Sequence, residues 1–181
     1  RLHIEINKTN EATLLSDACN AVAISPNVSR VPGAELIKLL KGKLSASVAA
    51  NKSFFEDYKD QIYVISCGFK EFIDPIVADL NITSDRVYAN TFKFDEDGTI
   101  IGFDEVNPLS QHNGKVNCLK GANLDGEIQI IGDGYSDFVM RREGVAQKFF
   151  AYTENVSRKK ATDNADHVVA SLDEFLIINK L

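Results

Sequence analysis

Cysteine is scarce in this sequence, and what there is does not pair. Cys19, Cys67 and Cys118 are an odd number without a Cys-x-x-Cys spacing. That argues against a disulfide framework or a cysteine-bound zinc and fits a reducing compartment, so a cytoplasmic location is expected. No uninterrupted apolar run approaches the ~20 residues that span a bilayer, and no membrane role is expected. Basic residues are in the minority, 20 Lys plus Arg against 26 Asp plus Glu. The net charge of −6 argues against nonspecific nucleic-acid binding, which needs a basic surface. His3, His112 and His167 lie too far apart for a metal-ligand pattern and read as surface or packing residues. Repeats, low-complexity tracts and a visible secretory leader are also lacking. What is there, 181 residues with 44% hydrophobic, suffices for one substantial core with a small appended cap.

The most informative stretch runs from Ile128 to Asp137. An apolar β-branched run, Ile128-Gln129-Ile130-Ile131, stops at Gly132-Asp133-Gly134-Tyr135-Ser136-Asp137. A buried parallel strand ending this way delivers acidic groups to the carboxyl edge of a sheet, where open α/β proteins bind ligands. Asp133 and Asp137 supply the hard oxygens that magnesium prefers. Aspartate and glycine are also ordinary turn residues, and Asp137 also suits the first turn of a helix.

Two other segments bear on that turn. Ile62-Tyr63-Val64-Ile65 is a second apolar run and ends in Ser66-Cys67-Gly68-Phe69. A serine followed by small residues at a strand end can hold phosphoryl oxygens through its hydroxyl and exposed N–H groups, or simply cap the following helix. Between the runs, Lys115 opens a predicted helix, where a cation can neutralise a phosphate and a carboxylate together.

Along the chain, Thr13 to Ala23, Ala34 to Leu44, Ala46 to Asp57 and Lys70 to Leu80 read as helices. Ser25-Pro26-Asn27 followed by Pro32-Gly33 reads as a connection. Val87 to Asn90 is a short strand, and Phe92-Lys93-Phe94 and Ile100 to Phe103 flank Asp95-Glu96-Asp97-Gly98 as a β-hairpin. Further helices follow Lys115 and Asp137, and later strands fall at Ala146 to Tyr152 and His167 to Val169. Such alternation implies a parallel sheet with helices on both faces.

Strand-Ser, then Lys, then strand-Gly-Asp-Gly-x-x-Asp, in that order, resembles the haloacid-dehalogenase phosphatase superfamily. Val87-Tyr88-Ala89-Asn90-Thr91-Phe92, Ala165-Asp166-His167-Val168 and Leu172 to Leu176 narrow the resemblance to its phosphoserine phosphatase branch. It runs from about Leu36 to the C-terminus. The resemblance implies an α/β fold, a three-layer Rossmann-like parallel sheet with a partial helical cap. Residues 1–55 would be the cap segment and 56–181 the core. It also implies a magnesium-dependent phosphomonoester hydrolase acting on phosphoserine or another small phosphorylated substrate, in serine biosynthesis. Lys115 would be catalytic, Ser66, Cys67, Gly68 and Lys115 would bind phosphate, and Asp133 and Asp137 would serve the Mg2+. Ser136 would contact substrate, although that branch often has asparagine there, as it often has glycine at Cys67. A small buried thiol is the plain reading of Cys67.

One part of the family pattern is missing. Its chemistry begins at an N-terminal strand ending in Asp-x-Asp-x-Thr or Ser, whose first Asp attacks phosphorus and whose second handles protons. The nearest imitation is Glu5-Ile6-Asn7-Lys8-Thr9. Glu5 would advance the carboxylate by about 1 Å, a displacement that can cost ~10²-fold. Asn7 forfeits an acid–base contribution of roughly 10²–10⁴-fold. Arg1 to Ile4 is similar to a cap segment instead, so the expectation is a chain that begins in the cap. Residues Asn7 to Arg30 follow no family pattern. The alternative is a noncatalytic phosphate-binding or regulatory module. In that version it would be fused to phosphoglycerate dehydrogenase, whose junction Phe175 to Leu181 resembles. Gly132-Asp133-Gly134 itself lacks the third spaced glycine of a dinucleotide fingerprint.

Overall fold

Apolar β-branched runs flanked by amphipathic segments have one economical arrangement, a parallel sheet buried on both faces. The computed structural model, which describes residues 2–4, 31–32 and 44–181, has that arrangement. Its strands are β1 (Leu2–Ile4), β2 (Val31–Pro32), β3 (Ile62–Phe69), β4 (Val87–Asn90), β5 (Phe92–Phe94), β6 (Thr99–Phe103), β7 (Gln129–Gly132), β8 (Lys148–Tyr152) and β9 (His167–Val169). Its helices are α1 (Ala46–Ala50), α2 (Lys52–Asp57), α3 (Lys70–Val77), α4 (Gly114–Gly121), α5 (Tyr135–Arg142), α6 (Lys159–Thr162) and α7 (Leu172–Asn179). Six strands form one sheet in the order β4-β3-β1-β7-β8-β9, and every pairing within it is parallel.

The two-residue period of β3 and β7 divides the core. Val64 and Ile131 join one apolar cluster with Phe55, Ile73, Phe150 and Phe175, where α2, α3 and α7 contribute. Ile65 and Ile130 join the other with Val116, Met140 and Phe149, where α4 and α5 contribute. Val64, Ile65 and Ile130 are wholly inaccessible, which is why neither run alternates with polar residues.

β1 lies between β3 and β7, with Leu2 opposite both Ile62 and Gln129 and Ile4 opposite Ile131. From β1 the chain proceeds outward on one side through β3 and β4, and on the other through β7, β8 and β9. The carboxyl ends of β1 and β7 therefore bracket a topological switch point, the usual ligand crevice of open α/β sheets.

This differs from the expected cap. Leu2–Ile4 is a strand of the core sheet, because parallel pairing on both sides supplies backbone hydrogen bonds that a three-residue pattern cannot reveal. Val48, Phe54 and Phe55 of α1 and α2 also pack in the core, so the described parts of 1–55 other than β2 sit with it. The remainder of that segment, including the helices expected at Thr13 to Ala23 and Ala34 to Leu44, lies outside the described residues.

The expected hairpin is present. β5 and β6 pair antiparallel around Asp95–Gly98, where Asp95 Oδ1 accepts the Asp97 and Thr99 amides at 3.1 and 2.9 Å. Gly98 adopts φ +76°, which only glycine enters cheaply. Val31–Pro32, expected as a connection, adds a short antiparallel strand along β6.

A polar staple closes the carboxyl end of β8. Ser47 Oγ accepts the Leu172 amide at 2.8 Å, lies 2.9 Å from the Tyr152 hydroxyl and donates to Glu154 Oε2 at 2.5 Å. Tyr152 also hydrogen-bonds Glu154. Among the described residues, no helix is long and apolar enough to cross a membrane.

Candidate functional site

The serine segment is not a simple strand end. β3 continues to Phe69, but its register against β4 moves from Ile65 opposite Tyr88 to Phe69 opposite Asn90. Two extra residues are accommodated there, and the bulge lifts Ser66-Cys67-Gly68 out of regular pairing. Ser66 is buried, and its Oγ accepts the Gly68 amide at 3.1 Å. Cys67, expected as a small buried thiol, is exposed, because the bulge turns it out of the sheet.

Lys115 comes from the first turn of α4. The helix start is fixed by Asn113 in the left-handed region, φ 55°, and by Gly114. A Cβ on Gly114 would stand 2.4 Å from the Pro108 carbonyl oxygen and 2.8 Å from Leu109 Cα, so only glycine permits this approach. Lys115 is 3% exposed and its Nζ lies 2.7 Å from Asp137 Oδ1. Asp137 is wholly buried, and its Oδ2 accepts the Gly134 amide at 3.0 Å. The aspartate thus caps α5 and holds the lysine, and both of its oxygens are engaged.

Asp133 sits at the carboxyl end of β7, two residues past Ile131. Ser66 is likewise two residues past Val64, on the other side of β1. Asp133 is 6% exposed and ion-paired with Arg158, yet its Oδ2 accepts no aligned hydrogen bond among the described residues. A buried, hard carboxylate oxygen whose neighbour is a half-exposed arginine suits a magnesium ion, whereas Asp137 is the counter-ion of Lys115. Among the described residues no group of three or more His, Cys, Asp or Glu is clustered as a metal site. Ser136 is exposed on α5. Glu5-Ile6-Asn7-Lys8-Thr9 lies outside the described residues.

Lys115, Asp137, Gly134 and Asp133 therefore form one contiguous group, and Ser66 stands at the same edge of the sheet. Sequence reasoning missed Arg158, for which a lone arginine before a short helix gives no signal. It also passed over the linking role of Asn90, although that residue stood within the Tyr-Ala-Asn element. Its Nδ2 donates to the Cys67 carbonyl at 2.9 Å.

A parallel sheet with this switch point, a bulged serine strand, a buried lysine and a Gly-Asp-Gly strand end define a class: the chain resembles the haloacid-dehalogenase superfamily phosphatases. Within that superfamily it is phosphoserine phosphatase-like. Over 123 residues it is 32% identical to a chloroplastic phosphoserine phosphatase of Arabidopsis thaliana, covering 66% of this chain and 41% of that protein. Over 119 residues it is 34% identical to phosphoserine phosphatase of Bos taurus, covering 64% and 52%. The chain thus spans about half the length of these curated relatives. A phosphoserine phosphohydrolase-like protein from Francisella tularensis superposes with a TM-score of 0.65 at 29% identity, covering 75% of this chain and 62% of that one. A HAD family hydrolase, t0658, from Salmonella enterica serovar Typhi shares the fold at TM-score 0.60 and 17% identity, covering 99% and 71%. No family model matches the chain.

Proposed function

We propose that this chain carries the phosphate-binding part of a magnesium-dependent phosphomonoester hydrolase, with phosphoserine as its substrate. The observation that carries this reading is the buried Lys115–Asp137 pair set against the Asp133 turn. A lysine at 3% exposure needs a counter-ion, and Asp137 supplies one while keeping the ammonium beside the ligand edge. The Ser66 hydroxyl, which already accepts the Gly68 amide, would donate to a phosphoryl oxygen, and Lys115 would neutralise its charge. Asp133 would hold the Mg2+, displacing Arg158. When bound, that ion would act as a Lewis acid on a phosphoryl oxygen.

The nucleophile position follows β1. In chain order that position falls on Glu5-Ile6-Asn7-Lys8-Thr9, where both aspartates of the family are replaced. The place of β1 in the sheet therefore favours a second reading, a noncatalytic phosphate-binding module, including a regulatory one beside a phosphoglycerate dehydrogenase. Phosphate release from phosphoserine, assayed with and without Mg2+, separates the two. Magnesium-dependent release abolished by Asp133→Ala supports the hydrolase. Binding of phosphoserine without release supports the module. Release by the Asp133→Ala variant at the original rate contradicts the assigned metal site.

A further inference from the structure

Asn90 ends β4, the edge strand, and is 5% exposed. Its Nδ2 donates to the Cys67 carbonyl at 2.9 Å and to the Leu109 carbonyl at 3.5 Å. These two acceptors belong to different working parts of the proposed site. Cys67 lies in the β3 bulge beside Ser66, where the displaced register removes ordinary ladder pairing with β4. Leu109 lies in the turn against which Gly114 is pressed, and Gly114 immediately precedes Lys115. One side-chain amide thus joins the backbone that presents Ser66 to the backbone that presents Lys115.

The other half of the same side chain argues that this linkage is specific. Asn90 Oδ1 is buried and accepts no hydrogen bond among the described residues. An unsatisfied buried acceptor is a cost, and an apolar residue of similar size would avoid it. What asparagine supplies is the donor pair, which reaches both the bulged carbonyl and the turn carbonyl. Asn107 independently ties the turn to β4, donating to the Ala89 carbonyl at 2.8 Å and accepting the Leu109 amide at 3.0 Å. Asn90 alone of these two reaches on to β3.

We propose that Asn90 is a positioning residue that sets the spacing between Ser66 and Lys115, and so the affinity of the site for a phosphoryl group. It touches neither ligand nor reacting atoms. Ser66 and Lys115 come from segments far apart in sequence that share apolar packing through Ile65, Leu109 and Val116, and this tie adds the directional contact that fixes their spacing. The inference rests on the phosphate-site reading above.

The test is a titration of the full chain with orthophosphate, followed by amide resonances, alongside amide hydrogen exchange. Asn90→Leu removes both donors at similar volume, and Asn90→Asp keeps the shape while turning an acceptor toward two carbonyls. Tyr152→Phe serves as a control, because it alters a buried hydrogen bond on the other side of the core. Both Asn90 variants should bind orthophosphate about tenfold more weakly or worse, as sub-ångström misplacement of charge-binding groups requires. Exchange at Gly68 and at Gly114 and Lys115 should accelerate in them and not in Tyr152→Phe. Unchanged affinity in a folded Asn90→Leu variant overturns the proposal, as does equal weakening by Tyr152→Phe. Failure of the unsubstituted chain to bind orthophosphate overturns the phosphate-site reading instead. The exchange rates then still decide whether Asn90 joins the two segments.

Discussion

Lys115 and Asp137 meet at 2.7 Å with side-chain exposures of 3% and 0%. A buried pair of this kind is held at a desolvation cost, and removing one partner strands the other charge. Asp137→Ala should therefore destabilise the fold by ~3–5 kcal/mol in urea unfolding. The double variant Lys115→Met with Asp137→Leu should recover much of that loss while abolishing phosphate binding. Recovery of stability together with intact phosphate affinity would remove the lysine from the site.

Gly114→Ala is a steric prediction. The added methyl meets backbone atoms of Pro108 and Leu109 at 2.4 and 2.8 Å, which cannot rotate away as a side chain would. Overpacking of this kind costs ~1–3 kcal/mol. Thermal unfolding should show the loss, and phosphate affinity should fall with it, because the displaced backbone carries Lys115. Gly102→Ala meets nothing within 4 Å and should leave phosphate affinity unchanged.

The Ser47 staple gives a pH dependence at both extremes. Burial pushes the Glu154 carboxyl up, but hydrogen bonds from Ser47 and Tyr152 outweigh it and leave its pKa below the ordinary 4.5. Its stabilising contribution is present above that value and is lost as pH falls through the lowered folded value. Burial, with Glu154 beside it, raises the Tyr152 hydroxyl from 10.0 to about 12. That contribution is complete below pH 10 and disappears as pH rises toward 12. Unfolding free energy measured against pH should show a shallower acid slope in Glu154→Gln and a shallower alkaline slope in Tyr152→Phe, where Cys118 and Tyr88, also raised, keep the remainder.

The described cysteines should separate by reactivity. Burial pushes the Cys118 thiol up to about 11, with Cys67 adding to the shift, so little thiolate forms at neutral pH. Cys67 is exposed beside Ser66. Mass-spectrometric mapping after limited alkylation should find Cys67 modified well before Cys118, with orthophosphate slowing the first reaction. Faster modification of Cys118 would contradict its half-buried placement on α4.

Much of the core was legible because its signals are local. The runs at Ile62 and Ile128, the Asp95–Gly98 turn and the helix starts at Lys115 and Asp137 each declare themselves within a few residues. Relations between distant segments were not. Leu2–Ile4 is too short for periodicity to identify, and only pairing with β3 and β7 defines it. The β3 bulge is likewise a property of two strands, so the sequence suggested a strand that stops before Ser66. Asp133 and Asp137 both carried the metal expectation, with Asp137 also suited to the first turn of a helix. Their difference arises from Lys115, 22 residues upstream of Asp137, and from Arg158.

The central claim is that Ser66, Lys115 and Asp133 serve one phosphate and metal site. Calorimetric titration of the chain with Mg2+ and then with orthophosphate tests it most directly. Ser66→Ala should lose phosphate affinity and keep Mg2+ binding, and Asp133→Ala should lose Mg2+ binding first. Lys115→Met with its compensating Asp137→Leu should lose phosphate. An unsubstituted chain that binds neither, or binds both with affinities indifferent to these substitutions, would contradict the account.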